Sequence, residues 1–114
     1  MTVHALTAAT FDSTLESHSF LVIDFWATWC GPCKGFSTVL HKVAKEYPDI
    51  YFGSVDVEAE KALADEFDIR SVPFVIIMRD KVMVYAESGA LSESALRELL
   101  DNAKKLTKEQ LGSA

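Results

Sequence analysis

An apolar run over residues 20–26 is followed, three residues later, by a Cys-Gly-Pro-Cys motif at residues 30–33, which holds both cysteines of the chain. The run contains one acid, Asp24, and is otherwise typical of a strand buried on both faces. A helical pattern begins at Cys33. Residues three apart on a helical turn share a face, with Cβ atoms about 5–6 Å apart, so a small adjustment closes a disulfide. This order of strand, CxxC motif and helix predicts a redox-active dithiol.

The chain length and composition predict one globular domain over residues 1–114. There are 114 residues, of which 49% are hydrophobic and 25% charged, an ordinary globular balance. A chain of this length buries a core without disulfide staples, and a disulfide that closes so short a loop adds little stability. A structural role for the two cysteines is therefore the weaker interpretation.

Charge and hydropathy argue against two classes of partner. The net charge is −6 without a basic patch, so we expect no nucleic-acid binding. The longest apolar runs are too short to span a membrane, so we expect no membrane partner. Residues 1–10 lack a basic region followed by a long apolar stretch. We therefore expect no signal peptide and a cytoplasmic location, where redox thiols are at home and structural disulfides are rare.

Hydrophobic periodicity and turn residues predict five strands and four helices. The strands are expected at residues 2–5, 20–26, 50–57, 74–78 and 82–86, and the helices at residues 8–16, 33–47, 58–67 and 92–106. The last two strands suggest a hairpin, although its connection lacks glycine. Ser92 is the expected N-cap of the last helix, and residues 107–114 are expected to form a frayed, flexible tail. An acidic group is expected to be the solvated face of the third helix: Glu58, Glu60, Asp65 and Glu66.

The order of these elements defines the fold class. Alternating strands and helices in the first part require parallel strands with crossover helices, and the hairpin at the end requires an antiparallel pair. We therefore predict an α/β fold with a central mixed β-sheet flanked by helices on both faces.

Five segments resemble the thioredoxin family in order and spacing: residues 22–27, 29–34, 55–57, 69–73 and 88–92. The Trp-Cys-Gly-Pro-Cys-Lys string with the later Val-Pro and Gly-Ala pairs is highly specific. The resemblance covers nearly the whole chain, and it implies the thioredoxin fold and a dithiol–disulfide oxidoreductase.

The two cysteines have different expected roles. Cys30 is expected to attack, because the start of a helix offers free N–H groups and a positive dipole end that favour a thiolate. Cys33, one turn deeper, is expected to retain its proton and then resolve the mixed disulfide. Between them, Gly31 lets a partner backbone approach and Pro32 fits the first helical turn. The absence of histidine between the cysteines favours a reductant.

Asp24 is the candidate proton carrier. Burial in an apolar strand is expected to raise its pKa. The resemblance implies that this acid lies beneath the second cysteine and moves its proton, with water as the carrier. The alternative is a structural aspartate whose hydrogen bonds are satisfied within the fold.

The resemblance also implies a client-binding groove around Cys30. The Val72–Pro73 peptide bond is expected to be cis and to face the dithiol, with the Val72 backbone pairing with the client. A plain strand-entry proline is the alternative. The remaining groove residues are expected to be Trp29, Gly89 and Ala90, and Lys34 completes the redox motif. Trp26 is expected to pack beneath the site.

Some positions depart from the common pattern of the family. Thr38 stands where a kinking proline is usual, Phe74 follows the groove proline in place of threonine, and Gly35 lowers helix propensity. A lysine often found near the buried acid is expected to be replaced by Phe52. We expect Phe74 to point into the core, with the active site as the alternative.

The predicted function is that of a cytoplasmic protein-disulfide reductase that carries electrons and serves cell redox homeostasis. Its partners are expected to be disulfide-containing clients and an NADPH-dependent thioredoxin reductase, and the chain is expected to be a monomer.

No GxGxxG fingerprint is present, so no flavin or nucleotide cofactor is expected beyond the Cys30–Cys33 disulfide itself. A metal site is not predicted, because the three histidines are scattered and two cysteines fall short of a tetrahedral set. The alternatives are a specialised relative with one client, an isomerase, or a binding module whose thiols are incidental.

Overall fold

The computed structural model describes residues 2–112, which form a five-stranded mixed sheet with helices on both faces. The predicted fold class is confirmed. In chain order the elements are β1 (Val3–Ala5), α1 (Ala8–Ser17), β2 (Phe20–Trp26), α2 (Gly31–Ala44), β3 (Tyr51–Asp56), α3 (Lys61–Glu66), β4 (Phe74–Arg79), β5 (Val82–Ser88), α4 (Glu93–Lys104) and α5 (Lys108–Gly112).

The strand that precedes the dithiol lies at the centre of the sheet. The strand order is β1-β3-β2-β4-β5. β2 pairs with β3 in parallel and with β4 antiparallel, while β1 and β5 form the edges. Every residue of β2 except Trp26 is buried, which explains the nearly continuous apolar run in the sequence.

Two apolar clusters fill the space between the sheet and its helices. One cluster joins β2, β3 and β4 to α2 and α4, and includes Val22, Phe36 and Leu100. The other joins the opposite face of the sheet to α1 and α3, and includes Phe11 and Leu63. Side chains alternate between the two faces along a strand, so the three central strands, β2, β3 and β4, contribute to both clusters.

Two helices begin at positions that periodicity did not predict. α2 begins at Gly31 rather than at Cys33, because Cys30 serves as its N-cap. α3 begins at Lys61 rather than at residue 58. The Asp56 carboxylate accepts hydrogen bonds from the backbone N–H groups of Glu58 and Ala59. These side-chain contacts hold residues 57–59 in a turn, which competes with helix formation.

The hairpin between β4 and β5 forms without glycine. Asp80 and Lys81 adopt positive φ angles of 51° and 68°, the left-handed conformation that two-residue hairpin loops require at both positions. Aspartate tolerates this region better than most residues.

The expectation of a frayed tail is wrong for residues 108–112, which form α5. Leu111 is buried with 7% of its surface exposed. The Thr107 side chain accepts a hydrogen bond from the Gln110 backbone N–H, and the Gln110 side chain accepts one from the Thr107 N–H. This reciprocal capping and one buried leucine stabilise a helix too short for periodicity to reveal. Residues 113–114 of the predicted tail lie outside the described residues.

Candidate functional site

Cys30 and Cys33 form a disulfide at the N-terminus of α2, with their Cα atoms 5.3 Å apart. Cys30 is the N-cap, and its sulfur accepts a hydrogen bond from the Cys33 backbone N–H at 3.1 Å. In the reduced protein the same N–H and the positive end of the helix dipole would favour a thiolate at this sulfur. The start of α2 therefore provides the backbone N–H group and the helix dipole that would stabilise a Cys30 thiolate.

The residues next to the dithiol in sequence are exposed. Trp29 has 70% of its surface exposed, although large aromatic side chains are usually buried. Gly31 and Pro32, at the first two positions of α2, and Lys34 are exposed as well. An open aromatic surface beside a disulfide is suited to contact with another protein.

Asp24 lies at the middle of β2 with 2% of its surface exposed. Its Oδ1 atom has no hydrogen-bond partner among the described residues. Burial raises the pKa of this carboxyl from 3.8 to about 7. The alternative of a structural aspartate with all its hydrogen bonds satisfied within the fold does not fit this unpartnered oxygen.

A cavity of about 640 Å³ joins Asp24 to Cys33, since both residues line it. The other lining side chains include the apolar Val3 and Leu40 and the polar Ser37 and Ser54. Most of its lining is apolar, but the exposed Lys34 and His41 also line it, so the space opens to solvent and is large enough to hold water. The buried carboxyl and the second cysteine therefore face the same space.

The strand register shows which residue of β3 stands opposite the buried acid. In the parallel register of β2 and β3, Asp24 pairs with Ser54, whereas Phe52 pairs with Val22 in the apolar cluster. Ser54 also lines the cavity with Asp24. Serine stands directly opposite the acid, and Phe52, which is expected to replace a family lysine near it, lies two residues away along β3 on the same face of the sheet.

Three of the predicted groove residues, Val72, Pro73 and Gly89, come together at the start of β4. The Val72–Pro73 peptide bond is cis, which confirms that expectation. Val72 packs against a buried cluster of Ala27, Cys30 and Cys33. The Gly89 backbone N–H donates to the Pro73 carbonyl at 2.8 Å, which brings the predicted Gly89 beside the proline.

Backbone conformation explains the glycine at this place. Gly89 has a φ of +121°, a region that residues with a Cβ rarely adopt. Ala90, the next predicted groove residue, is exposed. Trp26, expected beneath the site, is half-buried and packs against the cysteine cluster.

Phe74 packs into the protein interior, as expected. Its half-buried ring joins the apolar cluster on the α1 and α3 side of the sheet. Asp24 lies two residues after Val22 in β2, so their side chains share one face of the sheet. Val22 belongs to the cluster on the face opposite Phe74. The phenylalanine therefore contacts the core and lies away from the face of the sheet that carries the acid.

Sequence reasoning missed a contact between the dithiol loop and the loop after β3. Glu58 Oε1 accepts hydrogen bonds from both the backbone N–H and the hydroxyl of Thr28. Glu60 Oε1 accepts one from the Ala8 backbone N–H. The expectation that these two acids belong to a solvated helix face is wrong, because both precede α3 and bind other segments. No sequence pattern indicated these pairings, which arise from tertiary proximity.

Within residues 2–112, no cluster of three or more histidine, cysteine or acidic side chains is arranged to hold a metal ion. In the same part of the chain, no helix is both long and apolar enough to cross a membrane.

Comparison with known proteins decides the family. The thioredoxin family model matches residues 2–102. The chain is 46% identical over 109 residues to a putative thioredoxin 2 of Streptomyces coelicolor, which covers 96% of this chain and 81% of that one. A thioredoxin of Mycoplasmoides gallisepticum is 36% identical over 97 residues, 85% of this chain and 97% of that one. The chain belongs to the thioredoxin family.

Solved structures agree with this assignment. A mutant thioredoxin from Halobacterium salinarum superposes with a TM-score of 0.84 at 26% identity, over 92% of this chain and 93% of that one. Chloroplastic thioredoxin z gives the same TM-score at 24% identity, over 91% and 96% of the two chains, and shows the fold alone.

Family membership and the disulfide-bonded pair together identify a thiol–disulfide oxidoreductase with protein-disulfide reductase activity. Thioredoxins work with a redox-active disulfide and without an added cofactor, and in general they serve disulfide-containing clients and a thioredoxin reductase.

Proposed function

We propose that this thioredoxin-family protein reduces client disulfides in the cytoplasm through a Cys30 mixed disulfide, and that an NADPH-dependent thioredoxin reductase restores its dithiol. In this role it carries two electrons per cycle and contributes to cell redox homeostasis. A cytoplasmic location is consistent with a dithiol used as a reductant, because that compartment keeps thiols reduced.

The first step is attack by the Cys30 thiolate on one sulfur of the client disulfide. An S–S bond forms between Cys30 and the client, and the other client sulfur leaves as a thiolate. In the second step Cys33 gives its proton to the Asp24 carboxylate, and the Cys33 thiolate attacks the Cys30 sulfur. The Cys30–Cys33 bond closes, the mixed disulfide breaks, and the client receives two electrons in total.

The observation that carries this proposal is the cavity shared by Asp24 and Cys33, the disulfide partner of the N-capping Cys30. A carboxyl with a pKa of about 7 is balanced between its acid and base forms near neutral pH. This is the condition under which a general base is most effective. The exposed Trp29 and the cis Val72–Pro73 segment offer a docking surface for the client.

Insulin reduction tests the proposal directly. The purified protein with thioredoxin reductase should oxidise NADPH at a rate that depends on insulin and on the protein. Consumption of one NADPH per protein molecule, which reduces its own disulfide, without insulin reduction would point to one dedicated client. Isomerisation of scrambled disulfides without net reduction would point to an isomerase, and absence of any thiol-dependent turnover would point to a binding module.

A further inference from the structure

The loop between β2 and α2 depends on a side chain from another segment for its hydrogen bonding. Within the loop, the Cys30 N–H donates to the Ala27 carbonyl and closes a turn. The Thr28 N–H instead donates to Glu58 Oε1 at 3.1 Å, and the Thr28 hydroxyl donates to the same oxygen at 2.7 Å. Charge-assisted contacts of this kind are stronger and more directional than neutral ones.

Glu58 is itself held to the sheet. Asp56, the last residue of β3, pairs with Trp26 at the end of β2. Its Oδ1 atom accepts the Glu58 N–H at 2.9 Å, and the Val57 N–H donates to the Trp26 carbonyl at 2.9 Å. The glutamate therefore extends from an anchored backbone and connects the rigid sheet to the dithiol loop.

The residue after Thr28 is the most exposed large hydrophobic side chain that the structure describes. Trp29 has 70% of its surface in solvent and stands next to the attacking cysteine in sequence. A partner that binds such a surface must bear the entropy cost of ordering it, and a loop that is already ordered reduces that cost. Fixing Thr28 fixes the backbone that carries both Trp29 and Cys30.

We propose that Thr28 and Glu58 are positioning residues, whose hydrogen-bonded pair holds the Trp29–Cys30 loop in the conformation that protein clients bind. This inference rests on the proposed reductase function. The pair acts through the backbone of the loop rather than on the sulfurs, so its loss should weaken client docking without slowing the chemical step.

Steady-state kinetics with insulin and thioredoxin reductase tests the docking role. Glu58→Ala and Thr28→Val, which removes the hydroxyl donor at nearly constant shape, should each raise KM for insulin about three- to tenfold with little change in kcat. Thr28→Ser should retain the wild-type KM for insulin because serine keeps the hydroxyl donor. Glu58→Gln, which keeps an acceptor oxygen without the charge, should lie closer to wild type than Glu58→Ala.

Glu60→Ala is the matched control. Glu60 belongs to the same loop and also accepts a backbone N–H from a distant segment, but that segment is the start of α1. Its variant should keep the wild-type KM. The reaction of each reduced variant with hydroxyethyl disulfide, which is too small to need a docking surface, should proceed at the wild-type rate.

Amide hydrogen exchange judges the contact without reference to activity. In the oxidised wild type the Thr28 amide should be protected, and Glu58→Ala should remove this protection while Glu60→Ala leaves it.

An unprotected Thr28 amide in the wild type would overturn the inference, as would an unchanged KM in both Glu58→Ala and Thr28→Val. Equal loss with hydroxyethyl disulfide would also overturn it. An inactive wild type would instead refute the reductase proposal, while the exchange result would still decide the positioning claim.

Discussion

The two cysteines of the disulfide are almost equally buried, with 4% of the surface exposed for Cys30 and 3% for Cys33, yet their surroundings differ. Both cysteines belong to the cluster that Val72 packs against, and Cys30 directly follows the exposed Trp29. Cys33 lines the cavity that contains Asp24, and neither Cys30 nor Trp29 is among the lining residues of that cavity.

In the proposed cycle, this difference would separate client contact from proton transfer. Client contact is assigned to the Cys30 side, where the surface is open and apolar. Proton transfer is assigned to the Cys33 side, where an acid is held away from bulk water. Because different residues build the two sides, substitutions should alter docking and proton transfer independently.

Replacing either cysteine should have the largest effect on disulfide reduction. Cys30→Ser should abolish insulin reduction, because no thiolate remains to attack the client. Cys33→Ser should still attack but accumulate mixed disulfides, since only the resolving step is lost. Mass spectrometry of captured clients distinguishes the two variants. Adducts on Cys30→Ser but not on Cys33→Ser would reverse the assigned roles.

Asp24→Asn should disable only the Cys33 side. Its turnover at pH 8 should fall about tenfold or more, because an amide cannot accept the Cys33 proton and a general base commonly contributes at least a hundredfold. The wild-type rate should rise with pH through about 7 as the carboxyl ionises, and the variant should lack this rise. A full wild-type pH–rate profile in the variant would remove Asp24 from the mechanism.

The same acid should leave a signature in stability. A carboxyl whose pKa is raised from 3.8 to about 7 on folding binds more protons in the folded state between these values. The free energy of unfolding should therefore fall as pH rises from about 4 to 7, by on the order of 4 kcal/mol at most. Urea unfolding of Asp24→Asn should lack this part of the decline, and at pH 8 the variant should be at least as stable as the wild type. Identical pH profiles for the two proteins would contradict the raised pKa.

Ser54→Lys should change the Cys33 side by a smaller amount. The cavity has room for the lysine stem, and an ammonium group beside the carboxylate should lower the pKa of Asp24 by about one unit or more. Carboxyl carbon NMR measures the shift. Ser54→Met is the control of similar length without charge, and an equal shift in that variant would show that charge is not the cause.

Phe74→Thr should lower stability without changing either client docking at Cys30 or proton transfer at Cys33. Partial loss of a half-buried ring should reduce the free energy of unfolding by about 1–2 kcal/mol. The reduction potential against glutathione should stay at the wild-type value, because Phe74 packs on the α1 and α3 side of the sheet. A shifted potential with an unchanged urea midpoint would place the ring at the site after all.

Strong local patterns made most of the fold predictable. The bounds of β2 match the predicted residues 20–26, and Ser92 caps α4 through the Ala95 N–H, as expected. Boundaries set by side-chain hydrogen bonds were not predictable in the same way. The Asp56 carboxylate delays α3 until Lys61, and Cys30 starts α2 early.

The site shows the same division. Its redox motif and cis proline were evident from the residues that resemble the family, because each occupies a fixed place in the chain. The partner of Asp24 across the sheet depends on strand register, and a shift of two residues keeps every side chain on the same face. Phe52 and Ser54 were therefore indistinguishable by alternation alone, and only the pairing with β3 shows that Ser54 stands opposite the acid.

The central place of β2 has a mechanical consequence. The strand carries Asp24 at its midpoint and leads into the dithiol loop at its end, and it is paired on both sides. Edge strands such as β1 and β5 open more readily than a doubly paired centre. Asp24 and the start of the dithiol loop are therefore attached to the doubly paired centre of the sheet. We expect this attachment to keep the reacting atoms aligned while successive clients bind and leave.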